Sequence, residues 1–121
     1  QRGYTPILAH VERYPYVTED PTLLYRWVAG GALAQINAAG LIRGGHTAKL
    51  LIRYIGWNLV HFISTDAHNM AARPVNLRAG FEALPAPAAY AFRKNAVRAF
   101  LGRQIEPPEP QEPRYRFGRW A

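Results

Sequence analysis

Short apolar runs alternate with amphipathic stretches along most of the chain. The first run, Thr5-Pro6-Ile7-Leu8-Ala9-His10, ends at the charged pair Glu12-Arg13 and predicts a strand. From Pro21 onward Leu23, Leu24 and Trp27 follow helical spacing up to Gly30-Gly31. Asp20 is the expected N-cap of that helix, and Pro21 suits its first position because the missing N–H has no intrahelical partner there. Ala32-Leu33-Ala34-Gln35-Ile36-Asn37 predicts a second strand, and the small residues of 38–45 predict a loop. Thr47 is the expected cap of the next helix, whose apolar positions are Leu50, Leu51, Tyr54 and Ile55 and whose end is Gly56. Leu59-Val60-His61-Phe62-Ile63-Ser64 predicts a third strand running into Thr65-Asp66-Ala67-His68. Two more helices are expected at about 76–84 and 87–101, the last closed by Gly102.

Strand and helix alternate, which is the pattern of parallel βαβ units. The strands are apolar on both faces, as strands covered on each side must be. The fold class is therefore α/β, and in such folds active sites gather at the carboxyl ends of the strands. Residues 1–104 form the expected domain portion, and 105–121 a Pro-, Glu- and Arg-rich tail. That composition predicts a solvated, poorly ordered extension. The alternative is an arm that docks onto a partner, or onto its own domain, through its aromatic residues.

Composition narrows the class. Of 121 residues 49% are hydrophobic and 19% charged, which is globular rather than disordered. No run reaches the ~18–20 apolar residues of a membrane span. The opening Gln1-Arg2-Gly3-Tyr4 has neither an initiator Met nor a signal-peptide pattern, and it reads as the middle of a gene product. With no Cys there are no disulfides or thiolates, which suits a reducing cytoplasm, the expected location. The formal net charge is +7, and no acidic residue lies between Pro21 and Thr65. Such a field attracts nucleic acid, anionic lipid or a phosphorylated substrate. The cations are spread rather than clustered, so nucleic acid is not expected as a partner.

Two strand ends carry the chemistry. Asp66 and His68 stand two apart, so in extended backbone they leave on one face and can share a divalent cation. Alone, the pair is a weak signal and reads more readily as an Asp capping a turn beside a surface His. His10 and Glu12 form a similar pair after the first strand. Arg13 beside them suits bidentate phosphate binding, or else a structural ion pair with Glu12. Joint occurrence at two strand ends favours a shared site. His61 has the opposite parity to Asp66 and faces the helix layer, as a hydrogen-bonded structural His. His46 reads as solvated. Gln35 and Asn37 at the second strand's end either point into the site or satisfy backbone groups.

At this point a family becomes visible. Leu8-Ala9-His10-Val11-Glu12-Arg13-Tyr14 resembles the Leu-Ala-His-Pro-Glu-Arg-Tyr motif of the PHP-type bacterial protein-tyrosine phosphatases of capsule and exopolysaccharide synthesis. Gly31 to Asn37 resembles the strand that follows it there. His61 to Asn69, with Arg73-Pro74 after it, resembles the family's closing Ser-Asp-Ala-His and Arg-Pro motif. Val11 replaces the usual Pro and Thr65 the common Ser. The resemblance runs in order from Gly3 to about Leu101.

The resemblance implies a distorted parallel β/α barrel of the PHP superfamily, with divalent metals, manganese foremost, in its mouth. His10, Asp66 and His68 would be metal ligands and Arg13 the catalytic, phosphate-binding residue. Glu12, Asn69 and Arg73 match family positions as support or substrate contacts. The implied reaction is metal-assisted hydrolysis of phosphotyrosine, on an autophosphorylating tyrosine kinase as the partner substrate. The family's N-terminal His-x-His motif and intermediate ligands have no counterpart here, so the chain reads as the C-terminal half of the domain, with the N-terminal half of the barrel missing. Three ligands make a poor multi-metal site. Two rivals stay open: a small-molecule phosphatase of the histidinol-phosphate kind, and a non-catalytic PHP remnant acting as a binding module.

Overall fold

Three short strands, Ile7–Leu8 (β1), Leu33–Asn37 (β2) and Phe62–Ser64 (β3), pair in parallel in the computed structural model, which describes residues 5–65 and 73–120. The order is β1-β2-β3. Leu8 lies opposite Ala34, and Asn37 opposite Ser64, so all three strands run to the same edge. The central strand β2 is buried on both faces, with Ala34 and Ile36 wholly inaccessible and Leu33 and Asn37 nearly so. This is the doubly covered parallel strand that the continuous apolar run predicts.

Among the described residues six helices accompany the strands: Pro15–Glu19 (α1), Pro21–Ala29 (α2), Ala38–Arg43 (α3), Gly45–Gly56 (α4), Arg73–Ala83 (α5) and Ala86–Phe100 (α6). A single 3-10 turn, Val11–Arg13, follows β1. α2 starts as the sequence predicts, with the Asp20 carboxylate accepting from the Thr22 N–H and Pro21 at the first position. Those bonds hold the Asp20 carboxyl below the usual carboxylate range, the Thr22 hydroxyl contributing most and its N–H next. Leu24 and Val28 of α2, Leu51, Tyr54 and Ile55 of α4, and Phe92 of α6 close over the sheet as one core.

Five expectations change. The strand expected over 5–10 is paired only at Ile7–Leu8, and the one expected over 59–64 only at Phe62–Ser64. Residues 38–43 are helical and not a loop, because the buried Asn37 side chain accepts from the Ala39 N–H and caps α3. Thr47 is not a cap, because α4 opens at Gly45 and its N-cap position is Gly44, at φ 74. The tail is not a loose extension. Its backbone returns to the C-terminal end of α4, where the Gln111 N–H donates to the Trp57 carbonyl and the Asn58 amide to the Glu109 carbonyl. Tyr115–Arg116 (β4) and Arg119–Trp120 (β5) then form an antiparallel hairpin. Trp120 packs on the core, Pro113 is buried, and the Arg53 guanidinium donates to the Trp120 carbonyl. Docking on its own domain is the alternative that holds.

His61, at the amino end of β3, is 1% exposed. Its Nδ1 accepts the Ala34 N–H at 3.0 Å, its backbone N–H donates to the Ala34 carbonyl at 2.9 Å, and its buried Nε2 has no hydrogen-bond partner among the described residues. Its carbonyl accepts from the buried Asn95 amide of α6 at 2.9 Å. The ring is thus a structural, neutral imidazole, as its parity predicts. Burial pushes its pKa down to about 4. Below the ordinary value of 6.5 the unfolded chain takes up a proton that the folded chain refuses, so stability falls as pH drops from about 6.5 to about 4. The loss is on the order of 3 kcal/mol at the lower limit. His61→Asn, which keeps an acceptor near Nδ1 and cannot titrate, is expected to be less stable at neutral pH and to flatten this slope in denaturant titrations.

α5 lies against α3 and β3 through Gly80. A methyl group there would stand 2.7 Å from the Ala38 Cβ and 3.0 Å from the Ile63 Cδ1. Gly80→Ala is therefore expected to lose more by overpacking, ~1–3 kcal/mol, than it gains in helix propensity, ~1 kcal/mol. A lower urea midpoint with an unchanged m-value is the expected result.

Candidate functional site at the carboxyl edge of the sheet

β1 ends at Leu8, and two residues later His10 takes a left-handed backbone, φ 52 and ψ 53. Few residues other than glycine adopt this region, and it recurs at functional sites. The reversal lets the chain turn at once into the 3-10 turn, where the Arg13 N–H donates to the His10 carbonyl at 2.9 Å and the Tyr14 N–H to the Val11 carbonyl at 3.2 Å. Val11 is fully buried and anchors the turn, leaving Arg13 exposed and His10 and Glu12 half-buried. The turn is fastened to the sheet at its middle. Glu12 Oε2 accepts the Asn37 N–H at 3.1 Å, joining the loop after β1 to the carboxyl end of β2.

The other oxygen, Glu12 Oε1, is buried and has no hydrogen-bond partner among the described residues. A buried carboxylate oxygen without a donor is costly unless a cation stands near it. Its charge is felt at Tyr54, whose phenol donates to the Val17 carbonyl at 3.2 Å. Burial raises the Tyr54 pKa above its ordinary value, and the Glu12 carboxylate raises it further.

Of the predicted site residues, His10, Glu12 and Arg13 fall together on one turn at the carboxyl edge. Asp66, His68 and Asn69 lie outside the described residues. Arg73 is the first residue of α5. Among the described residues no three His, Asp or Glu side chains gather into a metal-binding group. β3 ends at Ser64, opposite Asn37, so the chain enters the 66–69 segment from the edge that carries His10. Asn37 is buried and its Oδ1 caps α3, while His46 is exposed in the first turn of α4. The role of Glu12 as a tie to β2 is not readable from the sequence, since it depends on which backbone N–H the fold brings to it.

The model of capsular polysaccharide synthesis proteins CpsB/CapC matches residues 1–94. The CapC protein of Staphylococcus aureus is 34% identical over 124 residues, covering 98% of this chain and 48% of that protein. Tyrosine-protein phosphatase YwqE of Bacillus subtilis is 33% identical over 125 residues, covering 97% and 49%. The fold superposes with a TM-score of 0.83 and 31% identity on a crystal structure from work on YwqE and on CpsB of Streptococcus pneumoniae, described as metal-dependent tyrosine phosphatases. That match covers 93% of this chain and 48% of the solved one. The chain spans about half the length of the relatives it matches. With most of its residues matched by the family model, and relatives a third identical along nearly its whole length, the chain belongs to the CpsB/CapC family.

Proposed function

We propose that this chain contributes the phosphate-binding turn and part of the metal site of a metal-dependent phosphatase acting on phosphotyrosine in proteins. The observation that carries the proposal is the His10–Arg13 turn, fastened by Glu12 to the end of β2 at the edge where β3 also ends. In this reading the sheet is one arc of a parallel β/α barrel, and His10, Asp66 and His68 are ligands of divalent metal, manganese being the expected ion. The donor set fits: imidazole and carboxylate suit borderline and hard divalent ions, and the unpartnered Glu12 Oε1 supplies the negative charge that a cation site needs. Bound metal supplies Lewis acidity and the activation of water.

The chain's own residues do the rest. Arg13, exposed beside His10, offers two parallel N–H donors to the phosphoryl oxygens and fixed positive charge where theirs grows. Glu12 holds the turn at the depth that sets both His10 and Arg13, and Asn69 and Arg73 are assigned to support of the ligands or to substrate contact. No thiol is present, so a cysteinyl-phosphate route is closed to this chain. The substrate proposed is an autophosphorylating tyrosine kinase of capsule or exopolysaccharide synthesis, acted on in the cytoplasm.

In a chain carrying the family's full length, Arg13→Lys is expected to lower turnover of a phosphotyrosine peptide by about a hundredfold with metal content unchanged, because an ammonium cannot form the planar two-point contact. Equal activity would reduce Arg13 to an ion-pair partner. Histidinol phosphate as the better substrate would move the protein to the small-molecule branch. Glu12→Ala strands the Asn37 N–H and is expected to cost ~1–3 kcal/mol of stability. It should also weaken manganese binding by about tenfold or more, measured by calorimetry.

A further inference from the structure

The β4–β5 hairpin carries two features that work against its own stability. Its turn residues Phe117 and Gly118 have φ 55 and 79. This is the type I′ pattern, which Asn-Gly fills at least cost and which strains a phenylalanine. Burial gives nothing in return, because Phe117 is 99% exposed. Arg116 and Arg119 lie directly opposite one another across the strands, both exposed. Like charges so placed repel and destabilise the pair. Arg114 adds a third exposed cation just before the hairpin, whereas the acidic residues of the tail, Glu106, Glu109 and Glu112, all precede Pro113.

The hairpin is nevertheless held in place from its other face. Tyr115 meets Trp120 edge-on at 5.1 Å, and Trp120 packs on the core. The docked face fixes the hairpin so that the strained tip and the arginine pair point away from it. A fully exposed phenyl ring is stabilised by an apolar phase, and opposed guanidiniums by anions between or beside them. A bilayer of anionic lipid presents both, phosphates in the outer layer and acyl chains beneath. Single-stranded RNA also engages aromatics and arginines, but through several rings spread along a face or groove. Here one ring stands at a tip.

We propose that the 115–120 hairpin is a peripheral anchor for anionic membranes. It seats Phe117 at the headgroup–acyl boundary, with Arg114, Arg116 and Arg119 on lipid phosphates. The anchor is independent of the metal site and of the reaction performed there.

The test is co-sedimentation of the full chain with phosphatidylcholine vesicles, with and without phosphatidylglycerol. Binding is expected to the anionic vesicles alone and to weaken at high salt, where screening shortens to about 3 Å at 1 M. Phe117→Asn relieves the backbone strain, so its thermal midpoint should hold or rise while vesicle partitioning falls by about tenfold. Arg116→Ser and Arg119→Ser should each reduce binding by about fivefold. Vesicle binding equal for the native chain and Phe117→Asn, equal for neutral and anionic vesicles, or absent altogether would overturn the proposal. Retention of an RNA oligonucleotide without vesicle binding would reassign the surface to nucleic acid.

Discussion

The buried backbone N–H groups of β2 must each find an acceptor, and two of them find one on a side chain. Ala34 donates to the His61 imidazole near one end of the strand, and Asn37 to the Glu12 carboxylate at the other. A buried amide left unpaired costs about 1–3 kcal/mol, so each acceptor is held to its place as firmly as the strand itself. His61 thereby locks the start of β3, and its carbonyl in turn recruits Asn95 from α6. Glu12 locks the turn after β1, and the Asn37 side chain starts α3. One strand's hydrogen-bond requirement thus fixes the positions of its two neighbours, two helices and the turn bearing His10 and Arg13.

The same requirement explains a division of labour between the two ends of the sheet. At the amino end the polar group is neutral: burial drives the His61 pKa down to about 4, and its Nδ1 takes the Ala34 N–H while its buried Nε2 has no hydrogen-bond partner among the described residues. At the carboxyl end the polar group is a carboxylate, and it too is half satisfied. Glu12 spends one oxygen on the fold and keeps the other buried and without a hydrogen bond from the described residues. A left-handed His10 stands two residues away. A left-handed backbone and a half-paired carboxylate thus stand together at the edge where βα folds carry out chemistry.

What the sequence discloses depends on whether the cause is local. α2 is legible because Asp20, Pro21 and the Leu23–Leu24–Trp27 spacing act within one turn of each other. β2 is legible because its apolar run is continuous, and His61 because parity alone assigns its face. α3 is hidden, since its six residues are too few to show a helical period, Gly40 interrupts them, and its start depends on Asn37 being held at a strand end. The Asn37 cap is the signal that could have found it, and Gly80 the tertiary reason it packs. The docked tail is hidden for a similar reason. A Pro- and Glu-rich segment reads as solvated, and only the carbonyl of Trp57 and the amide of Asn58, displayed by the end of α4, give its backbone partners. In the site, His10, Glu12 and Arg13 are visible as residue types at a strand end. The tie from Glu12 to Asn37 is a contact over 25 residues, and no spacing rule contains it.

Among the described residues β1 and β3 each pair on one side only. Ile7 of β1 is 52% exposed although its run is apolar. An unpaired parallel edge with apolar side chains is a surface that proteins cover, pair or charge, and neither edge carries Lys, Pro or a bulge within its strand. The relatives in this family are about twice as long as the matched stretch. In the barrel proposed for them, further strands would take up these edges, and the same closure would bring more donors to the carboxyl edge where Glu12 Oε1 has no partner. Edge pairing and ligand completion would then be one event. The strand neighbours that would finish the sheet's hydrogen bonding would also finish the proposed site, tying the fold's stability to its chemistry.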